Sequence, residues 1–273
     1  GSQAVLYPDY DKLFADGVLD VTLGIGFDED GSDLTERKKV QDGLASRGFQ
    51  ALPVATMSDA DIRAKGLDPA KLDRQATYYL KTQNVGGKDV KVLIKYIDRD
   101  SPDPKARFAK GIAGSELVMY GGHARYGAGP DFDTMDSAAG NFVLGVNAQG
   151  HKNGTLTPAY SDHIREVLKD SPNDLENTQL TNDYQLMLFS GCSTINYLDE
   201  LRGIPKNKTE SNLDVVVSNQ PLYWNHMSDN LFCMLDGVLS RESKNDLQSN
   251  LVQINEGVPF TADGFGGNTY QPH

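Results

Sequence analysis

Two short, uninterrupted apolar runs, Leu117-Val118-Met119-Tyr120 and Leu186-Met187-Leu188-Phe189, constrain this chain more than any other feature. Neither alternates with polar residues, and each stops at small ones, Gly121-Gly122 and Ser190-Gly191. That is the pattern of strands buried on both faces, which occur in parallel sheets covered by helices. Parallel strands need crossover connections, and the chain supplies them: other short runs alternate with stretches of helical period, so the reading is α/β. Val21 to Gly26 is the first strand, followed by the acidic loop Phe27 to Asp33 and a helix from Leu34 to Arg47, with Asp33 as N-cap and Gly48 beyond its end. Thr77 to Thr82 and Val90 to Ile97 flank Asn84-Val85-Gly86-Gly87 and predict a β-hairpin whose second arm joins the main sheet. Short helices are expected at Asp59 to Lys65 and Lys105 to Ile112, and further helices at Asp162 to Lys169, Thr194 to Leu201 and Ser228 to Leu239. A strand is expected at Asp214 to Ser218, and an irregular tail from Gly257.

The 273 residues carry no repeat or composition break, so a single domain spanning 1–273 is expected, with residues 124–180 as a Gly/Asn-rich insertion and Gly1-Ser2 as an expression scar. A trimmed start leans toward a secreted or periplasmic protein. The net charge of −12, with no dense Lys/Arg run, argues against nucleic acid and anionic membranes as partners. No apolar run approaches the roughly 20 residues of a membrane helix. Oligomeric state is not legible.

His123 follows the first apolar run and Cys192 the second, so both occupy the carboxyl end of a buried strand. Ligand crevices in open parallel sheets lie at that edge, where an imidazole and a thiol on neighbouring strands converge as a base and a nucleophile. A helix starting just after Cys192 would also lower the thiol pKa. A Cys192–Cys233 disulfide would exclude this chemistry; Cys233, among Leu231, Phe232, Met234 and Leu235, reads as core.

The endings Met119-Tyr120-Gly121-Gly122-His123 and Leu188-Phe189-Ser190-Gly191-Cys192 resemble those of the caspase-like cysteine peptidases, the group of caspases, legumains, gingipains and clostripain. The resemblance spans roughly residues 20–240. It implies a three-layer sandwich, a mostly parallel central sheet flanked by helices, and a cysteine endopeptidase acting on protein or peptide substrates through an acyl-enzyme. Cys192 would be the nucleophile and His123 the base, with the amides of Ala124 and Cys192 holding the oxyanion. Ala124 stands where the family usually has Gly, but still offers an N–H. Trp224, Asn219, Ser190 and Asp131 would bind substrate. The family is often cut during activation in the region matching Gly203 to Asn212, which makes Lys206 and Lys208 candidate self-processing points.

Three other features bear on chemistry. Asp28, Asp30 and Asp33 sit at alternate or near-alternate positions, as in calcium loops, but without the distal Glu; no cofactor is required. Asp131 and Asp133 are candidates to orient His123 or to select a basic side chain. His226 would pair with Cys192 if the protein were a different α/β thiol hydrolase or amidotransferase, whereas His151, His163 and His273 read as solvated. A non-catalytic binding module on the same fold is the remaining alternative.

Overall fold

The structure is a computed structural model that describes residues 4–144 and 174–273. Its strands are β1 (Val18–Ile25), β2 (Gln50–Leu52), β3 (Thr77–Val85), β4 (Lys88–Ile97), β5 (Leu117–Gly121), β6 (Gln185–Ser190), β7 (Leu213–Ser218) and β8 (Phe260–Asp263). They form one mixed sheet in the order β2-β3-β4-β1-β5-β6-β7-β8. The inner five strands, β4 to β7, run parallel, and the flanking pairs β2/β3, β3/β4 and β7/β8 are antiparallel. The two apolar runs lie side by side at the centre, with Leu117 opposite Leu186 and Gly121 opposite Ser190.

Strand alternation assigns each run to two cores, which is why neither shows polar alternation. Leu117, Met119, Leu186 and Leu188 pack with Val40 and Leu44 of the Ser32–Ser46 helix and with Leu231, Leu235 and Leu247 of the Met227–Leu239 and Lys244–Ile254 helices. Val118, Tyr120, Met187 and Phe189 point the other way, onto Phe108 and Ile112 of the Pro104–Gly114 helix and onto Tyr197 and Leu201. Helices on both faces of one sheet make three layers. The Pro104–Gly114 helix approaches closely because Gly111 lies against Thr22; a Cβ there would collide with the threonine side chain.

The hairpin forms as expected: Gly86 and Gly87 take φ of 61° and 85°, the Asn84 side chain accepts the Gly87 N–H, and β4 pairs with β1. Elsewhere the structure corrects the sequence reading. The helix after the acidic loop starts at Ser32 with Gly31 at its cap, and Asp33 is not the N-cap; buried within the first turn, it binds Arg99 at 2.5 and 2.8 Å. The Thr194 to Leu201 stretch is a 3-10 turn, Thr194–Tyr197, followed by a helix at Leu198–Gly203. The tail is not irregular throughout, since Phe260–Asp263 pairs antiparallel with β7 and covers the sheet edge. A helix at Lys244–Ile254, capped by Ser243, had no counterpart in the sequence reading. The expected 162–169 helix, His151, His163 and most of the insertion lie outside the described residues. The insertion's described ends are not a surface loop: Phe132, Phe142, Leu144, Leu175 and Leu180 belong to the second core. Among the described residues no helix is long and apolar enough to cross a membrane.

At the opposite, amino-terminal edge of the sheet, the Glu116 carboxylate accepts the Asp20 N–H at 3.2 Å. Burial, aided by Asp16, Asp20 and Asp183, pushes this carboxyl up to about 9. The folded value lies above the unfolded one, so the native state retains a proton that the unfolded chain releases. Stability from this group is therefore complete below the ordinary carboxylate range and declines as pH rises toward that value, by at most about 1.4 kcal/mol per pH unit. Glu116→Gln keeps the acceptor and removes the titration. It is expected to flatten the pH dependence of the melting temperature and to raise stability at pH near 8; an unchanged slope counts against this account.

Candidate functional site

The loops leaving β1, β5 and β6 meet at the carboxyl edge of the sheet. The Gly26 N–H bonds to the Gly121 carbonyl and the Gly122 N–H to the Ser190 carbonyl, both just past the last paired residues. His123 and Cys192 therefore follow corresponding positions on adjacent strands. Gly122 and Gly191 let these loops touch: a Cβ on Gly191 would collide with the Gly122 carbonyl, and the Ala124 nitrogen would lie 3.5 Å from it.

Asp28, in the loop after β1, holds the imidazole. Its Oδ1 lies 2.8 Å from His123 Nε2, and its Oδ2 accepts the Ser32 N–H at the start of the following helix. Partial burial pushes the Asp28 carboxyl up, but the bonds from Ser32 and His123 outweigh it and hold the carboxyl below its usual range. An ionised carboxylate can only accept, so Nε2 carries the ring proton. Nδ1 has no partner among the described residues. The face of the imidazole is set by Trp224, whose ring meets it edge-on with centroids 5.2 Å apart.

Cys192 is exposed, and both cysteines are free, so no disulfide joins it to Cys233. The elbow beneath it is fixed by Ser193, at φ 52°, whose N–H donates to the Gln220 carbonyl. The expected lowering of the thiol pKa does not occur. The sulfur lies against Leu222, with its S–H aimed at that carbonyl at 3.7 Å, and local desolvation pushes the thiol up. A four-residue 3-10 turn follows it in place of the expected helix, and desolvation outweighs the bond to the Leu222 carbonyl. The N–H groups of Ala124 and Cys192 find no acceptor among the described residues.

Several residues named from the sequence serve other ends. Ser190 is fully buried beneath the site, where its hydroxyl accepts from Asn230 at 2.9 Å. Asp131 is fully buried too and does not orient His123; its Oδ2 binds Arg125 Nε at 2.5 Å. Burial pushes the Asp131 carboxyl up to about 8, against the pull of Arg125. The other end of the Arg125 guanidinium binds Glu29, and Nη2 also reaches the Asp133 carbonyl at 3.1 Å. Asp28 and Glu29 thus clamp His123 and Arg125 in tandem. Asn219 accepts from Thr261 at 2.7 Å, and His226 lies in the turn before the Met227–Leu239 helix. Lys208 is not an accessible cleavage point: it is buried, donates to the Thr181 and Asp183 carbonyls, and burial lowers its ammonium to about 8. Lys206 is exposed.

Asp33 is committed to Arg99, so the acids that gather are not Asp28, Asp30 and Asp33. Ligand atoms of Asp28, Glu29 and His123 lie within 4.8 Å of one another, but each of the three already has a protein partner.

The roles of Asp28, Arg125 and the tyrosines Tyr120 and Tyr197 were missed from sequence. The one available signal for Asp28 was its place just beyond the first strand, next to the strand that carries His123. Compared with family models and with curated proteins, the sequence matches none.

Proposed function

We propose that this chain is a cysteine endopeptidase of the caspase-like kind, with Cys192 as nucleophile and His123 as general base and then general acid. The observation that carries the proposal is the pairing of β5 with β6, from whose adjacent carboxyl ends a histidine and an exposed cysteine emerge, the histidine anchored through Nε2 with no partner for Nδ1 among the described residues. In this reading Nδ1 takes the thiol proton as Sγ attacks the scissile carbonyl. The oxyanion forms beside the amides of Ala124 and Cys192, which have no acceptor among the described residues. Collapse breaks the C–N bond, the imidazolium protonates the leaving amine, and a thioester remains on Cys192. Water, deprotonated by the same imidazole, then releases the acid and restores the thiol. Trp224 and Asn219 are the proposed substrate wall, and Lys206 the remaining self-processing candidate.

The test is cleavage of a peptide library by the parent, Cys192→Ala, His123→Ala and His226→Ala. Loss in the first two variants with survival of His226→Ala supports the reading. Loss in His226→Ala with survival of His123→Ala moves the chemistry to the other thiol-hydrolase class. The raised thiol favours one further reading, a non-catalytic binding module, to which a parent that cleaves nothing would point.

Two results follow for the site. Because desolvation raises the resting thiol, Cys192 is expected to alkylate with iodoacetamide at a pH midpoint above the ordinary value near 8.5. Mass spectrometry across pH checks this, and fast labelling near pH 6 would contradict it. Asp28→Asn is expected to lower kcat about tenfold or more with KM little changed, since it weakens the hold on the imidazole that must carry the proton. A rise in KM alone would assign Asp28 to substrate binding.

A further inference from the structure

The carbonyl and N–H of a trans peptide point in opposite directions, so whatever fixes the His123 carbonyl also aims the Ala124 N–H. That carbonyl accepts the Tyr120 hydroxyl at 2.8 Å. The same hydroxyl accepts the Asp131 N–H at 3.2 Å, and the alternative acceptor, the Asp131 carbonyl, is farther away at 3.4 Å. The Tyr120 ring is fully buried, with Phe108 and Phe132 packed edge-on around it, and burial keeps the phenol protonated far above its usual range. Its hydroxyl occupies a slot that two glycines leave open, because a Cβ on Gly26 or Gly122 would collide with it. The neighbouring peptide is held separately: the Tyr197 hydroxyl donates to the Ala124 carbonyl at 2.7 Å, and the N–H of that peptide belongs to Arg125.

We propose that Tyr120 is a positioning residue for oxyanion stabilisation, its hydroxyl holding the His123 carbonyl so that the Ala124 N–H faces the charge developing beside Cys192. The inference rests on the peptidase reading. Tyr120 touches no substrate and acts only through the peptide plane between His123 and Ala124. Every atom of this device except the hydroxyl is shared with phenylalanine, so Tyr120→Phe removes the device and keeps the ring.

The experiment compares two reactions at Cys192. Alkylation by iodoacetamide at pH near 9 needs the thiolate but no oxyanion site, whereas a peptidyl aldehyde forms a hemithioacetal whose oxygen occupies that site. N-acetyl-dipeptidyl aldehydes ending in Arg, Asp, Asn or Leu serve as probes, and the one the parent binds best is used throughout. Tyr120→Phe is expected to alkylate at the parental rate but to bind the aldehyde about tenfold more weakly and to lose kcat in proportion, less than the hundredfold or more for deleting an oxyanion donor outright. Tyr197→Phe is expected to lose clearly less aldehyde affinity. Unchanged aldehyde binding in Tyr120→Phe, or equal losses in both tyrosine variants, overturns the inference and leaves the peptidase reading standing. A parent that binds no aldehyde and cleaves no peptide overturns both. Gly26→Ala, which crowds the hydroxyl from the other side, is the second variant where Tyr120→Phe fails to fold, with the same loss expected and the same result overturning it.

Discussion

Cys192→Ala is expected to abolish peptide cleavage, by at least roughly a thousandfold, while leaving the melting temperature nearly unchanged. The two halves of this expectation have different causes. In the proposed mechanism the thiol forms the acyl bond, and the neighbouring hydroxyls of Ser190, Ser193 and Thr194 are buried, so its loss leaves only the amides and the binding surface. It is also exposed, and its hydrogen bond among the described residues is the weak S–H bond to the Leu222 carbonyl. His123→Ala should lose a comparable factor, and the double variant little more than either, because a base without its nucleophile does nothing. The readout is cleavage rate beside thermal melting. Residual activity within about tenfold of the parent in Cys192→Ala would remove it from the chemistry, and a large fall in melting temperature would make its role structural.

The second large effect concerns stability. Arg125→Ala is expected to destabilise the fold by about 3 kcal/mol, because it leaves the fully buried Asp131 carboxyl without its ion pair. The sign of the pH dependence follows from burial. With Arg125 gone, the Asp131 carboxyl is pushed above its parental value of about 8, so above that value the native variant still holds a proton that the parent has released. The deficit should therefore be smallest near pH 6, where both native states are protonated, and larger near pH 9, where only the parent has ionised. Adding Asp131→Asn, which removes the charge and keeps an acceptor for the Asp133 N–H, should recover much of the loss. Denaturant melts of the single and double variants at both pH values check this, and a cost independent of pH would mean that packing around the guanidinium, not the buried charge, dominates.

The parts of the fold that were legible in the sequence share a physical cause. Leu117 to Tyr120 and Leu186 to Phe189 read as buried parallel strands because both faces of a covered sheet demand apolar side chains, and no other element of that length does. The hairpin was legible because two successive residues at positive φ need Gly86-Gly87. Local signals failed where a tertiary partner outbid them. Asp33 has the chemistry of an N-cap, yet Arg99, arriving from beyond β4, takes both its oxygens. Phe260 to Asp263 looked like tail, and it is a strand only because β7 offers an unpaired edge.

The same division runs through the candidate site. By itself the sequence determined that a histidine and a cysteine each end a core strand, because strand burial and strand termination are local properties of composition and glycine placement. Only the tertiary structure decided what surrounds them. Asp28, not Asp131 or Asp133, holds His123, since β1 lies next to β5 and sequence separation says nothing about strand order. The Cys192 thiol is raised, not lowered, because its pKa depends on the solvent and charge within a few ångströms, and what folds there is the Leu222 carbonyl and a short turn. Ionisation and orientation are set by neighbours in space, and the order of residues along the chain does not contain them until the sheet is assembled.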